Sequence, residues 1–563
     1  MPTLGGCIRT ERPLVFDDVS PAPECRVIIG SPTTGASGFS PVAIGAAAQA
    51  QANESVAVGY GAVAQATAPF SVAMGAMASS VGSGAVAVGV QAQALGDDSI
   101  SIGPFTSAQT GSISIGTNIN TFAPANAISI GISINNSDTE SVVVGNNLGT
   151  YALYGQSILI GSHSTTGNSG STLNIGTFNT VGDVADYSFL IGEGSSIGAL
   201  GGTGAVANLL IGVTSHIDDG SSRCTLIGGA DGAGSNIKSN SSSSVLVGPG
   251  LNIDVNAEQC ILIGSYCGIL DSSASSIIAG SNSTIGAGSG ESVIVGSYSS
   301  IADSCDVSIV VGSSNTTLSP ATILVGYRIA VGANSGNGIA IGYQATIGTD
   351  SPSTAIGSGA EIGDLSPASI AIGGGAIVGS NSPGNLAVGT NPDIDDYASN
   401  SIAIGRQADI HSDVANPTDG AIAIGWAPSI GKAASHAIAI GTNASVPANR
   451  IGSIAIGYNA TIEAGADGSQ AYGNGATATN AYEIIFDSRA NSGAIHGISL
   501  FHVYGKYTTV PGGIHLDLVK FDETALVNPF DSAMYLLYYD TGGNLVSNPV
   551  KVQAVTGLLY VAP

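Results

Sequence analysis

The residue types from which acid–base or metal chemistry is built are few in this chain and gather in three places. His411, Asp413 and Asp419 lie in HSDVANPTDG, Asp393, Asp395 and Asp396 in NPDIDD, and His515 and Asp517 in GGIHLDLV. Loops like the first two can hold Ca²⁺, because carboxylate oxygens are the ligands a hard cation takes, but neither has the spacing of a calcium loop. No metal is assigned. His515 and Asp517 alternate with Ile514, Leu516 and Leu518, which is the polar face of a half-buried strand rather than an acid–base pair. The six cysteines form no close-spaced metal pair. Cys224 and Cys260 hold the same position in repeats two apart, and with strands about 4.8 Å apart their Cα atoms stand about 10 Å apart, beyond disulfide reach. They read as buried small residues, and Cys7 with Cys25 is the one pairing left open. No nucleophile elbow, P-loop or paired-cysteine motif appears. The expectation is a protein with no catalytic residue, no cofactor and no enzymatic activity.

What the chain has instead is a repeat. AIAIGWAPSIGKAASHAIAIGTNASVPANRIGSIAIG (421–457) states one phrase three times, closing on Gly425, Gly441 and Gly457. In loose form the phrase is a small residue, an aliphatic, a variable residue, an aliphatic and glycine. It occurs 28 times from Gly30 to Gly457, Gly59 and Gly264 among them, with Gly473 as a degenerate last copy. Spacing is 13 to 16 residues, except for three intervals of 20 that end at Gly212, Gly248 and Gly425. A weaker element follows each glycine, as Ala460 and Ile462 follow Gly457 and Cys267 and Ile269 follow Gly264. Both elements alternate with period two, so one repeat is two short strands with a turn glycine between them. A unit this short cannot bury its own apolar face, and stacked β-coils are the solution.

In SIAIG (453–457), Ile454 and Ile456 share one face and Ala455 takes the other. Neither face is polar, so one fills the coil and the other needs a second surface, which argues for oligomerisation, with a trimer as the economical state. The middle residue changes in blocks: Ala at 43, 57, 73 and 87, Ser at 101, 114 and 129, Val, Leu or Ile from Val143 to Leu324 except Asn174, and Ala from Ala340 to Ala455. Ser195, Ser215, Ser283 and Ser299 occupy the third position after the glycine in the middle block. The expectation is a subunit contact that changes from close-packed Ala to interdigitated Leu, giving three sections. Trp426 follows a turn glycine directly and is expected at the surface.

Composition narrows the function. Only 9% of the 563 residues are charged, against about 25% for an ordinary globular domain, and the net charge is −26 with no Lys or Arg between Arg26 and Arg223. Nucleic acid and anionic membrane surfaces would be repelled. No 18-residue apolar run exists, so no membrane insertion is expected. Residues 1–25 carry none of the phrase and read as an attachment segment, 26–475 as the repeat region, and 476–563 as a small antiparallel β-domain. From residue 482 onward lie 11 of the chain's 30 aromatic residues. Tyr504, Tyr507, Tyr535, Tyr538 and Tyr539 are the candidate receptor-binding residues, since aromatic rings stack on sugars or anchor protein contacts.

The phrase S-I-A-I-G followed by x-x-A-x-I/V, over roughly residues 26–475, resembles the head repeat of trimeric autotransporter adhesins, the YadA-like head. The resemblance implies a left-handed parallel β-roll of about 28 coils packed as a homotrimer, in proteins that attach bacteria to host surfaces. The chain departs from that family in having no recognisable secretion signal, coiled-coil stalk or membrane anchor. The expected function is therefore a virion fibre, on the tail or head of a bacteriophage. It would be made in the host cytoplasm, docked on a virion attachment protein through its N-terminus, and bound to a host surface glycan or protein through its C-terminal domain. The alternatives are a bacterial cell-surface adhesin and a spacer or decoration without receptor binding.

Overall fold

A run of β-branched and small residues that alternates faces and reaches glycine makes a short strand of three to five residues in most turns, followed by a bend. The computed structural model describes residues 27–30, 34–122, 125–151, 156–199, 204–229 and 234–486, with strand backbone at 501–504, 535–539, 545–552 and 559–561. Residues 1–25 lie outside the described residues. Those described contain strands, turns and no helix. They form a parallel β-solenoid of about 28 turns, which divides after Gly296 into two compact units.

Most turns have a phrase strand and a shorter return strand, each paired in parallel with its counterpart on the next turn, while in Ile113–Thr121, Ile128–Asn136 and Val142–Thr150 the two run on as one nine-residue strand. In the first unit Leu246 is in register with Leu262, and Leu262 with Ile278. In the second, Ile438, Ala439 and Ile440 are in register with Ile454, Ala455 and Ile456. Where the interval is 20 residues, Gly405 still pairs with Gly425. The surplus is looped out there and adds a small parallel pair, Ala398–Ser399 with Thr418–Asp419.

The glycine column has two causes. Gly441 sits at φ +132°, a region that side chains disfavour. A β-carbon on it would also overlap the carbonyl oxygen of Gly457 on the next turn. The glycine thus answers a close approach between turns as well as the bend within one.

Two residues further on, the chain enters the left-handed region again, with ordinary side chains: Tyr266 at φ 53° and Asn282 at φ 52°. This conformation costs roughly 1–2 kcal/mol per residue. It is held by a backbone bond between turns, Tyr266 N–H to the Pro249 carbonyl at 3.0 Å and Asn282 N–H to Ser265 at 3.0 Å.

The interior is filled by the middle residue of the phrase and by the third and fifth residues after the glycine. In the first unit Ala57, Ala62 and Ala64 are fully buried, and further along Leu262, Cys267 and Ile269 take the same places. In the second unit they are Ala355, Ala360 and Ile362. The shift from Ala to Leu at the middle position is a change of filling inside the coil. The expectation that this residue makes the subunit contact is therefore corrected: two apolar faces cannot be told apart by polarity, and the middle residue, whether Ala or Leu, faces inward.

The small first residue of the phrase is most often a buried serine. Its hydroxyl stitches turns together: Ser353 Oγ donates to the Ser366 carbonyl at 3.0 Å and accepts from Ser369 N–H at 3.0 Å. Parallel pairing continues past residue 475 to Glu483–Phe486, whose Ile485 is in register with Ala471. The next described strand, Phe501–Tyr504, runs antiparallel to it, and Tyr535–Tyr539, Leu545–Val552 and Leu559–Val561 form a three-stranded antiparallel sheet.

Candidate functional site

With the middle residue inside, the two aliphatic residues that flank it point outward. Leu262 is fully buried while Ile263 is 48% exposed. Ile158, Ile160, Ile191, Ile211, Ile227 and Val247 are exposed in the same columns of the first unit, as are Ile309, Ile323, Ile370 and Ile372 in the second. Because each turn repeats the last in register, these side chains form apolar columns along each unit. A continuous apolar surface of this kind marks an interaction face. It is a site made of shape and hydrocarbon, with no charged residue in these columns.

Other outward columns carry the polar chemistry. Tyr327 and Tyr343, each directly after a turn glycine, stack with ring centroids 5.7 Å apart. Trp426 holds the same position, is exposed as expected, and lies under the Arg406 guanidinium at 5.6 Å. This pairing across turns was not visible in residue spacing, because 20 residues separate the partners. Aspartates seven residues after the glycine accept a backbone N–H from the preceding turn, as Asp364 does from Thr349 at 2.6 Å and Asp396 from Ser380 at 2.6 Å.

The acidic segments rearrange their membership. His411 does not meet Asp419. Its Nδ1 faces Asp395 Oδ2 at 3.3 Å and its Nε2 faces Asp409 Oδ2 at 3.3 Å. Asp413 pairs with Lys432 at 2.8 Å, and Asp419 accepts from the Asn400 amide at 2.9 Å. Burial, with Asp395 and Asp409 close by, pushes the Asp393 carboxyl up to about 6. Burial likewise raises Asp409. The hydrogen bond to Asp395 raises His411. Burial acts to raise Asp395 too, but its bonds from His411 and Ser412 bring it below the usual range. The imidazole supplies the counter-charge for the carboxylates around it.

Cys224, Cys260, Cys267 and Cys305 are buried, as the positions of the first two in the repeat led us to expect, and Cys224, Cys260 and Cys267 are free. Burial pushes the thiols of Cys224 and Cys260 up to about 11, which makes them poor nucleophiles. Tyr504, Tyr535, Tyr538 and Tyr539 lie on strands of the antiparallel segments. Tyr507, His515 and Asp517 lie outside the described residues.

A family model described as YadA head domain repeat (2 copies) matches residues 36–62, 80–106 and 434–460. No curated protein matches the chain. Each matched segment contains two successive phrases, closing on Gly45 and Gly59, on Gly89 and Gly103, and on Gly441 and Gly457. The chain carries YadA-like head repeats at these three positions.

Proposed function

We propose that three copies of this chain associate along the outward aliphatic columns into an attachment fibre without enzymatic activity, and that the fibre belongs to a virion. The observation that carries the assembly is the alternation at each phrase, in which Leu262 is buried and Ile263 stands out in water. Removing such columns from water is favourable at roughly 25 cal/mol per Å² of apolar surface, and repetition over many turns multiplies a small gain per turn.

The virion mounting is supported by the cysteines. Three buried thiols, Cys224, Cys260 and Cys267, are in no disulfide, which suits folding in a reducing compartment, where a phage protein is made and assembled. A chain crossing an oxidising space unfolded would present those thiols to disulfide chemistry first. On this reading residues 1–25 dock on a virion attachment protein, and 476–563, with Tyr504, Tyr507, Tyr535, Tyr538 and Tyr539, meet a host surface glycan or protein.

The match to YadA head repeats favours a second reading, a bacterial surface adhesin. Immunogold electron microscopy of the source culture separates the two. Label on virus particles is expected; label on cell envelopes with none on particles would overturn the virion mounting.

A further inference from the structure

The return strands carry a hollow on the first unit that the assembly face does not use. Its centre is Gly149. The registers Asn135 with Gly149 and Gly149 with Thr165 place a residue without a side chain between two polar ones on successive turns. Around the gap stand Asn147 and Tyr151 of the same turn, Ser133 of the preceding turn and His163 of the next. The space enclosed is about 220 Å³. That is below the roughly 300–1,000 Å³ of sites for drug-sized ligands, and suits one small ring.

The lining has a consistent chemistry. Among the described residues, no side-chain hydrogen bond engages Ser133, Asn135, Asn147, Thr165 or the Tyr151 hydroxyl, so their donors and acceptors are free to face a ligand. His163 is fixed in place: its Nδ1 lies 2.7 Å from Ser162 Oγ, and its ring stacks on Phe178 at 5.0 Å. The Tyr151 ring packs across Gly149 and is half exposed. No lining residue is acidic, Lys or Arg, and the chain's charge of −26 disfavours an anionic ligand. Two amides and three hydroxyls beside two rings match a neutral molecule with several hydroxyl groups and a C–H face.

We propose that this hollow binds one neutral hexose unit of a surface glycan, with Asn135, Asn147 and Thr165 bonding ring hydroxyls and Tyr151 stacking on the C–H face. The site lies on the flank of the first unit, and it does not depend on how the fibre is mounted. A similar column, Asn252–Gly268–Thr284, occurs further along. There Asn252 spends its amide on Asp254 at 2.8 Å, and Leu270 replaces the tyrosine. That column serves as an internal control.

Saturation-transfer difference NMR on the full chain, with methyl glycosides of glucose, galactose, mannose and N-acetylglucosamine and their oligosaccharides, tests the proposal. Gly149→Thr fills the hollow with the residue the column already carries at Thr165, and Gly149 is not in the left-handed region. We expect saturable binding of at least one neutral sugar, lost at least tenfold in Gly149→Thr and in Asn147→Ala/Tyr151→Ala, but unchanged in Gly268→Thr. The thermal unfolding of Gly149→Thr is expected to match the wild type, which separates loss of binding from loss of fold. No saturable signal from any neutral sugar, binding of charged sugars only, or full binding by Gly149→Thr would each overturn it. These outcomes are independent of where immunogold finds the fibre.

Discussion

A β-carbon on Gly264 would overlap the carbonyl oxygen of Gly280, the equivalent glycine one turn further along. The five-letter phrase keeps its last letter because neighbouring turns touch there, backbone against backbone. Gly268, four residues later on the return strand, meets nothing nearer than 3.9 Å. Gly264→Ala is therefore expected to lower the denaturant midpoint by the equivalent of at least about 2 kcal/mol, the left-handed cost plus the overlap, while Gly268→Ala changes it little. Equal effects from the two would refute the ladder account of the glycine.

The inward and outward residues of one phrase should fail differently. Leu262→Ala leaves a cavity in the coil and is expected to cost about 2–5 kcal/mol, read as a lower unfolding temperature at unchanged assembly mass. Ile263→Asp, placed outward, is expected to weaken association in sedimentation velocity while far-ultraviolet circular dichroism of the subunit stays that of β-structure. If the two phenotypes exchange, the faces are wrongly assigned.

The aspartate bonds between turns can be removed singly. Asp364→Ala leaves the Thr349 N–H without its acceptor, at an expected cost of about 1 kcal/mol by analogy with the loss of a capping side chain. Hydrogen exchange should speed up at Thr349 and its neighbours and nowhere distant, since each turn contacts only the next. Asp364→Asn keeps an acceptor oxygen and should behave nearly as the wild type.

The quartet of Asp393, Asp395, Asp409 and His411 makes one region pH-dependent. Asp393 (raised to about 6), Asp409 and His411 all bind protons more tightly in the folded state. Their contribution is present at acid pH and is lost as pH rises through about 6 for Asp393 and through the raised His411 value, above 6.5. Asp395, lowered, opposes this on the acid side, its contribution fading as pH falls below the ordinary carboxylate range. Lys432 and Asp413 face the same turn and keep their charges throughout this window. Protection factors for 409–420 are expected to fall as pH rises, first between about 4 and 6 as Asp393 ionises and again above 6.5 as His411 loses its proton. His411→Gln should flatten that fall, and an equal slope in the variant would contradict the assignment.

Much of this was legible in residue order. The parallel solenoid followed from the phrase, its spacing and the weak element after each glycine, and the buried Cys224 and Cys260 followed from their shared place in the repeat. The direction of the phrase was not legible. Ala455 and Ile456 are both apolar, so alternation identifies two faces without saying which is inside. The left-handed corners were also hidden, because Tyr266, Asn282, Arg328 and Gln344 share a backbone conformation and no side-chain type. His411 and Asp395 are 16 residues apart and meet only because that distance is one turn. Writing the chain in turn register would have placed them side by side, and would have aligned Asn135, Gly149 and Thr165 as well.

The outward aliphatic columns as a threefold seam are the centre of this account, and sedimentation equilibrium of the full chain tests them most directly. A mass three times the 55.2 kDa of one chain, falling toward one chain when Ile211, Ile227 and Ile263 are together replaced by Asp, is the predicted result. A wild-type mass of one chain would contradict it, because the columns would then stand permanently in water with nothing to cover them.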